Sequence, residues 1–153
     1  MGDSHFKAVE IRNAPFHKRL YGVAMPVPAG QRPGQVMFKA MDAMWGIVRA
    51  KQIRTTGINH ILYTGNTSVF AGVEVVGATP PPADLQEMDV EFGLYAYYHH
   101  TGPYDLLPAV YEAMAQEMRA QNLTKSGMSM EIYGHATDDP NQQVTEILIG
   151  LVF

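Results

Sequence analysis

Two acidic residues stand in stretches whose other side chains are largely apolar. Glu146 lies in Val144-Thr-Glu-Ile-Leu-Ile-Gly-Leu-Val-Phe153, a run apolar on both alternating faces, which reads as a central strand covered on both sides. An ionised carboxylate buried there costs several kcal/mol unless it is paired. Glu146 therefore meets a buried Arg or Lys, lies exposed near the strand start, or forms the floor of an apolar cavity as counter-charge to a ligand cation. Glu131, in Met128-Ser-Met-Glu-Ile-Tyr133, is either a solvated edge-strand acid or a second pocket acid. Strand alternation puts Tyr133 on its face. Glu74, between Val73 and Val75, raises the same question with less support.

Aromatic rings supply the other half of a cation site. Tyr95 and Tyr97 share one strand face and Tyr98 takes the other. Tyr104 stands at a helix entry, and Tyr111 and Trp45 lie on or beside helical stripes. A ring face near a cation contributes ~0.5–2 kcal/mol, so a few rings around a buried acid hold a lipophilic cation without requiring one shape. Each of these rings also fits simple core packing. The joint excess of 10 Met and 8 Tyr favours an adaptable pocket, since both residue types re-pack around varied ligands.

Other chemistries find less support. Cysteine is absent, which removes disulfides, thiolate metal sites and cysteine nucleophiles, and suits a cytoplasmic protein. His99 and His100 are neighbours on a strand and point apart, and the remaining histidines lack ligand spacing, so no metal is expected. The serine-hydrolase elbow, the P-loop and the dinucleotide fingerprint are missing, so no cofactor is expected either. A net charge of −4 without a basic stripe argues against direct nucleic-acid binding. No apolar run approaches the ~20 residues of a membrane span, and the start lacks the apolar core of a signal peptide.

The elements that must position these residues come in a repeated order. Strands are expected at 7–13 and 20–27, a helix at 35–54, and a hairpin at 58–63 and 68–76 turning through Thr64-Gly65-Asn66-Thr67. Pro80-Pro81-Pro82 marks a stiff connector over 77–89. A Tyr-rich strand over 90–99, a helix over 105–122 capped by Asp105, and strands over 128–133 and 144–153 follow. A shift of 70 residues, 53 to 123, superposes Ile53–Gly57 on Leu123–Gly127, Ala43-Met44 on Ala113-Met114, and Tyr63 on Tyr133. The same shift sets Glu131 against Ile61. Together with the element order, it predicts one 1–153 domain built from two copies, about 7–76 and 90–153. Each copy leaves a sheet face uncovered, so the two must pack as one core.

His99-His-Thr-Gly-Pro-Tyr104 before a helix, Glu131-Ile-Tyr133, the Asp138-Asp-Pro140 turn and Thr145-Glu-Ile-Leu-Ile-Gly-Leu151 resemble the GyrI-like family of effector-binding domains. Gly150 stands where that family usually has a proline. The resemblance implies an α+β fold of duplicated β-α-β-β units, with two helices packed on a curved antiparallel sheet and a ligand groove between the halves. It further implies that Glu131 and Glu146 both face the pocket and select lipophilic, cationic aromatic small molecules, with aromatic neighbours stacking on them. Regulators of that family carry a DNA-binding helix-turn-helix ahead of this domain. Here the first strand begins near residue 7, so a stand-alone binder, or one acting through a partner, is expected.

Three functions follow. The first is a multidrug-type binder of lipophilic cations, with Glu146, Glu131, Tyr97, Trp45, Tyr95, Tyr104, Tyr111 and Tyr133 as ligand-binding residues. The second, implied by similar hydrolases in the family, is opening of electrophilic cyclopropane-type natural products, with Glu146 or Glu131 activating water. The third is a protein-interaction role, through a protein partner or a homodimer.

Overall fold

The computed structural model describes residues 6–77 and 83–152. Its strands are β1 (Glu10–Arg12), β2 (Phe16–Pro26), β3 (Asn59–Thr64), β4 (Ser68–Val73), β5 (Gln86–Phe92), β6 (Tyr95–Thr101), β7 (Thr124–Tyr133) and β8 (Val144–Val152). Helices α1 (Pro33–Ala50) and α2 (Leu107–Ala120) each sit between the second and third strands of a half. All pairings are antiparallel, in the order β1-β6-β8-β7-β3-β4-β2-β5. That order reads the same from both ends when the halves are exchanged. Each half is a β-α-β-β unit, and the strand ahead of each crosses over: β1 pairs with β6, and β5 with β2. The fold is the α+β arrangement expected from the sequence.

Helical periodicity places the core. Val36, Ala40, Met44 and Val48 are the buried residues of α1, four apart along one stripe. Leu107, Val110, Met114 and Met118 are their counterparts on α2. Pro33 and Pro108 fall in the first turns, where a missing N–H costs nothing. Gln35 Oε1 accepts from the Arg32 backbone N–H at 2.7 Å, closing the start of α1. Both helices are followed by a residue with positive φ, Gln52 and Asn122, at equivalent places in the repeat.

The helices cover one sheet face. Ile61, Val69 and Ala71 pack under the first half of α1, and Ala96, Tyr98, Ile147 and Ile149 under α2. The opposite face curls on itself around Leu20, Leu62, Phe70, Phe92, Tyr95, Met130 and Leu148. Although β4 separates β2 from β3, Lys18 Nζ reaches His60 Nε2 at 3.3 Å across this face. The close approach of β2 and β4 requires Gly22, since a Cβ there would stand 1.9 Å from the Ala71 carbonyl oxygen.

Several local expectations change. The strand read over 90–99 is two strands, broken at Gly93-Leu94 and pairing in opposite halves of the sheet. Its unbroken alternation hid the break, which only Gly93 marks. β5 begins at Gln86, inside the stretch read as connector, because Met88 and Val90 pack on the curled face. The Pro80-Pro81-Pro82 segment lies outside the described residues. β7 starts before Gly127, because a register irregularity between Lys125 and Ser129 absorbs that glycine at φ 103°. Asp105 caps nothing: α2 begins after a 3₁₀ turn (Tyr104–Leu106), and neither start has a side-chain cap.

Candidate functional site

A groove of about 670 Å³ opens between α1 and α2 on the helix-covered face. Met37, Phe38 and Met41 form one wall, and Leu107, Pro108 and Tyr111 the other. The floor is Tyr63 from β3 with Glu131 and Tyr133 from β7. The floor residues point the same way because Glu131 and Tyr133 are two apart on one strand, and Ile61, the register partner of Glu131, is two from Tyr63.

Glu131 is 5% exposed and lies between Ile61 and Ile147 on the flanking strands. Three phenols donate to it. Tyr63 and Tyr133 donate to Oε1 at 3.0 and 2.5 Å, and Tyr111 donates to Oε2 at 2.5 Å. Tyr63 Oη is also 3.0 Å from Met37 Sδ, but a carboxylate is the stronger acceptor for its single proton. Burial first, and then the charge of Glu131, hold Tyr63, Tyr111 and Tyr133 well above the ordinary phenol range, so all three stay protonated donors. Among the described residues, no Lys, Arg or His forms an ion pair with Glu131. The groove thus has an apolar wall on each side and, at its floor, a buried carboxylate stabilised by dipoles rather than by a cation.

The other residues singled out in the sequence divide. Tyr104 stands at one end of the groove, 49% exposed, with its ring edge-on to Tyr133 at 5.4 Å between centroids. Trp45 does not line this groove; its Nε1–H donates to Asn59 Oδ1 at 2.7 Å, and Asn59 faces the groove. Tyr95 is buried on the opposite sheet face against Phe16 and Phe92. Glu146 and Tyr97 also lie on that opposite face, so one pocket holding both acids is not what the fold builds. The cause is register: Glu131 pairs with Ile147, which puts the neighbouring Glu146 on the reverse side. There Glu146 accepts from the Tyr97 hydroxyl, and Arg12 stacks 3.6 Å from the Tyr97 ring centroid. Glu74 is paired with Lys18 at 3.2 Å.

Met37, Met41, Phe38 and Tyr63 were not singled out by residue type. The repeat is the signal that could have found them. The 70-residue shift carries Met37 to Leu107, Phe38 to Pro108, Met41 to Tyr111 and Tyr63 to Tyr133, and every one of these lines the groove.

Residues 63–152 match the family described as GyrI-like small molecule binding domain. No curated protein matches the chain. Among solved structures, the C-terminal domain of EcmrR has a TM-score of 0.71 at 15% identity, covering 95% of this chain and 97% of that one. SAV2435 bound to tetraphenylphosphonium has a TM-score of 0.70 at 11% identity, covering 95% and 94%. A hydrolase encoded by lin2189 from Listeria innocua has a TM-score of 0.61 at 12% identity, covering 96% and 93%. At these identities the structural likenesses carry the fold alone. No helix among the described residues is long and apolar enough to cross a membrane.

Proposed function

Because the chain belongs to the family of GyrI-like small molecule binding domains, we propose that its groove takes lipophilic, aromatic cations and that Glu131 is their counter-charge. One observation carries this reading: a nearly inaccessible carboxylate faces an apolar groove with three phenol donors and no cation among the described residues. A buried charge without a counter-ion favours any ligand that brings one. The volume lies within the range of about 300–1,000 Å³ that small-molecule pockets occupy. The rings of Phe38, Tyr104 and Tyr133 supply faces and edges for an aromatic cation. Tetraphenylphosphonium, the ligand of SAV2435, is the natural first probe.

The hydrolytic alternative finds less support in the same atoms. Both oxygens of Glu131 already accept phenol protons, which suits a fixed charge better than a base that must take a proton from water. Glu146, the other candidate base, faces away from the groove.

Calorimetric titration with tetraphenylphosphonium and with neutral triphenylphosphine oxide tests the proposal. The cation binds with micromolar-scale affinity. Glu131→Gln weakens it by about thirtyfold while changing the neutral compound less than about threefold, as expected for loss of one partner of a desolvated charge pair. Equal losses for both compounds would falsify the electrostatic reading.

A further inference from the structure

The groove reaches further from Glu131 in one direction than in the other. Toward Asn59 and Tyr133, register partners at one end of the β3–β7 ladder, it runs past Met41 to Gly57 and Ala136. Toward Tyr63 and Ser129, partners near the opposite end, its lining stops at Tyr111 and leaves out Ser129. Beyond Tyr111 lies a separate hollow of about 190 Å³. Asn66, Gly127, Met128 and Ser129 are in its lining, and Tyr111 lines both cavities.

This hollow is the second arm of a symmetric groove. The 70-residue shift relates Met41 to Tyr111, Gly57 to Gly127, Asn59 to Ser129 and Asn66 to Ala136. Met41, Gly57, Asn59 and Ala136 all line the open arm, and their four equivalents all line the hollow. A packing gap beside the register irregularity of β7 would account for a hollow there. It would not account for a lining that repeats the open arm position by position.

One exchange separates the two arms. Methionine stands in the open arm where tyrosine stands in the closed one. The ring of Tyr111 packs against the core under α2, and its hydroxyl donates to Glu131 Oε2 at 2.5 Å, which holds it across the gap between helix and sheet. Met41 has no hydroxyl for the carboxylate to hold, and its thioether chain is flexible. The space behind Tyr111 suffices for one ring, since an apolar cavity of about 150 Å³ holds benzene.

We propose that Tyr111 is the specificity-determining residue of the groove. It walls off the second arm, so the protein takes cations with one aryl arm on the charged centre and gains little from an opposite one. This rests on the reading of Glu131 given above.

Calorimetry on the full chain with benzyltrimethylammonium and dibenzyldimethylammonium tests it. Both carry one positive charge, so their affinity ratio cancels whatever a change at position 111 does to Glu131. The unaltered protein binds the two within about threefold of each other. Tyr111→Met, which installs the residue of the open arm, favours the two-armed cation by about a further tenfold, the scale of burying much of one ring. Tyr111→Phe, which keeps the ring and drops the hydroxyl, keeps the parent ratio. An unchanged ratio in Tyr111→Met, an equal rise in Tyr111→Phe, or a tenfold two-armed advantage already present in the parent overturns the proposal. If Tyr111→Met does not fold, the mirror variant Met41→Tyr decides. By walling off the open arm it weakens benzyltrimethylammonium about tenfold, and undiminished binding refutes the assignment. Failure of the Glu131 reading shows separately: Glu131→Gln then leaves both affinities at the parent values, while the ratio still judges Tyr111. Absence of binding by either cation would sink both.

Discussion

Ile61 and Glu131 are register partners across β3 and β7, and they are also equivalent positions of the two halves. The axis relating the halves therefore passes between an apolar side chain and an acid. Tyr63 and Tyr133, equivalent to each other, flank that axis and converge on one oxygen of Glu131. Tyr111, by contrast, is matched by Met41. A nearly symmetric groove is thus made polar by two substitutions on one side, Glu131 for Ile61 and Tyr111 for Met41. These two residues also bond to each other.

That asymmetry gives the phenols unequal weight. Tyr111 is the single donor to Oε2, whereas Oε1 has two. Tyr111→Phe leaves a buried carboxylate oxygen unmatched and costs about 2 kcal/mol of stability, while Tyr63→Phe costs less than about 1 kcal/mol because Tyr133 remains. Urea unfolding of both variants checks this. A larger loss for Tyr63→Phe than for Tyr111→Phe would contradict the hydrogen-bond assignment.

The same phenols make the fold sensitive to alkali. Tyr63, Tyr111 and Tyr133 have folded-state pKa values raised by burial and by Glu131, so the unfolded chain gives up these protons first. Their contribution is complete below the unfolded phenol pKa of about 10 and is lost as pH rises past it. The urea midpoint is expected to hold up to about pH 9.5 and to fall steeply by about pH 11. Tyr63→Phe and Tyr133→Phe should each flatten that fall. A midpoint unchanged at about pH 11 would show that these hydroxyls are not buried against a charge.

Much of this arrangement was legible beforehand because period and repetition are local signals. The stripes Met37–Met41–Met44–Val48 and Val110–Met114–Met118 announce both helices, although Met37 and Met41 line the groove and Val36 and Ala40 take the buried places, and Gly65-Asn66 announces the β3–β4 hairpin. Glu131 and Tyr133 were legible as one unit from strand alternation. Glu146 was not, because a strand apolar on both faces gives no sign of which face meets helices and which curls inward. Only its pairing with β7, a non-local fact, settles that. Nor could Trp45 be placed from its stripe: it reaches the groove only through a hydrogen bond to Asn59 on another element. The crossing of β1 and β5 between halves left Gly93 as its single local mark, which is why Gly93-Leu94 passed as strand.

The curled face carries its own titrating group. His60 is fully buried there, with Nδ1 against the Ile58 carbonyl and Nε2 against Lys18, itself bonded to Glu74. Nδ1 therefore carries the proton and Nε2 accepts from the ammonium. Burial, then the Lys18 charge, lower its pKa from 6.5 to about 4, against smaller upward pulls from the Ile58 carbonyl, Glu74 and Glu146. Because the unfolded chain binds this proton more readily, stability is complete above about pH 6.5 and falls as pH drops toward 4. Between about pH 6.5 and pH 5 the loss is about 1.5 kcal/mol. Urea unfolding of His60→Gln over that interval should show a clearly shallower decline than the parent. Identical slopes would mean that His60 is protonated in the folded protein.

Separation of the two acids by the sheet makes a last, sharp comparison. Glu146 is bonded to Tyr97 on the curled face, with Ile132 and His99 as its register partners. Glu131 faces the groove from the adjacent strand. A charge acting through the sheet is weakened by distance and by solvent on its own side, so removing it should barely affect a ligand between the helices. Glu146→Gln is expected to leave tetraphenylphosphonium affinity within about twofold, against the roughly thirtyfold loss for Glu131→Gln. It should instead lower stability by about 1 kcal/mol, through the weakened bond to Tyr97. Calorimetry and urea unfolding on the same preparations read both effects. A loss of cation affinity in Glu146→Gln comparable to that in Glu131→Gln, with stability unchanged, would place the ligand on the curled face and overturn the site described here.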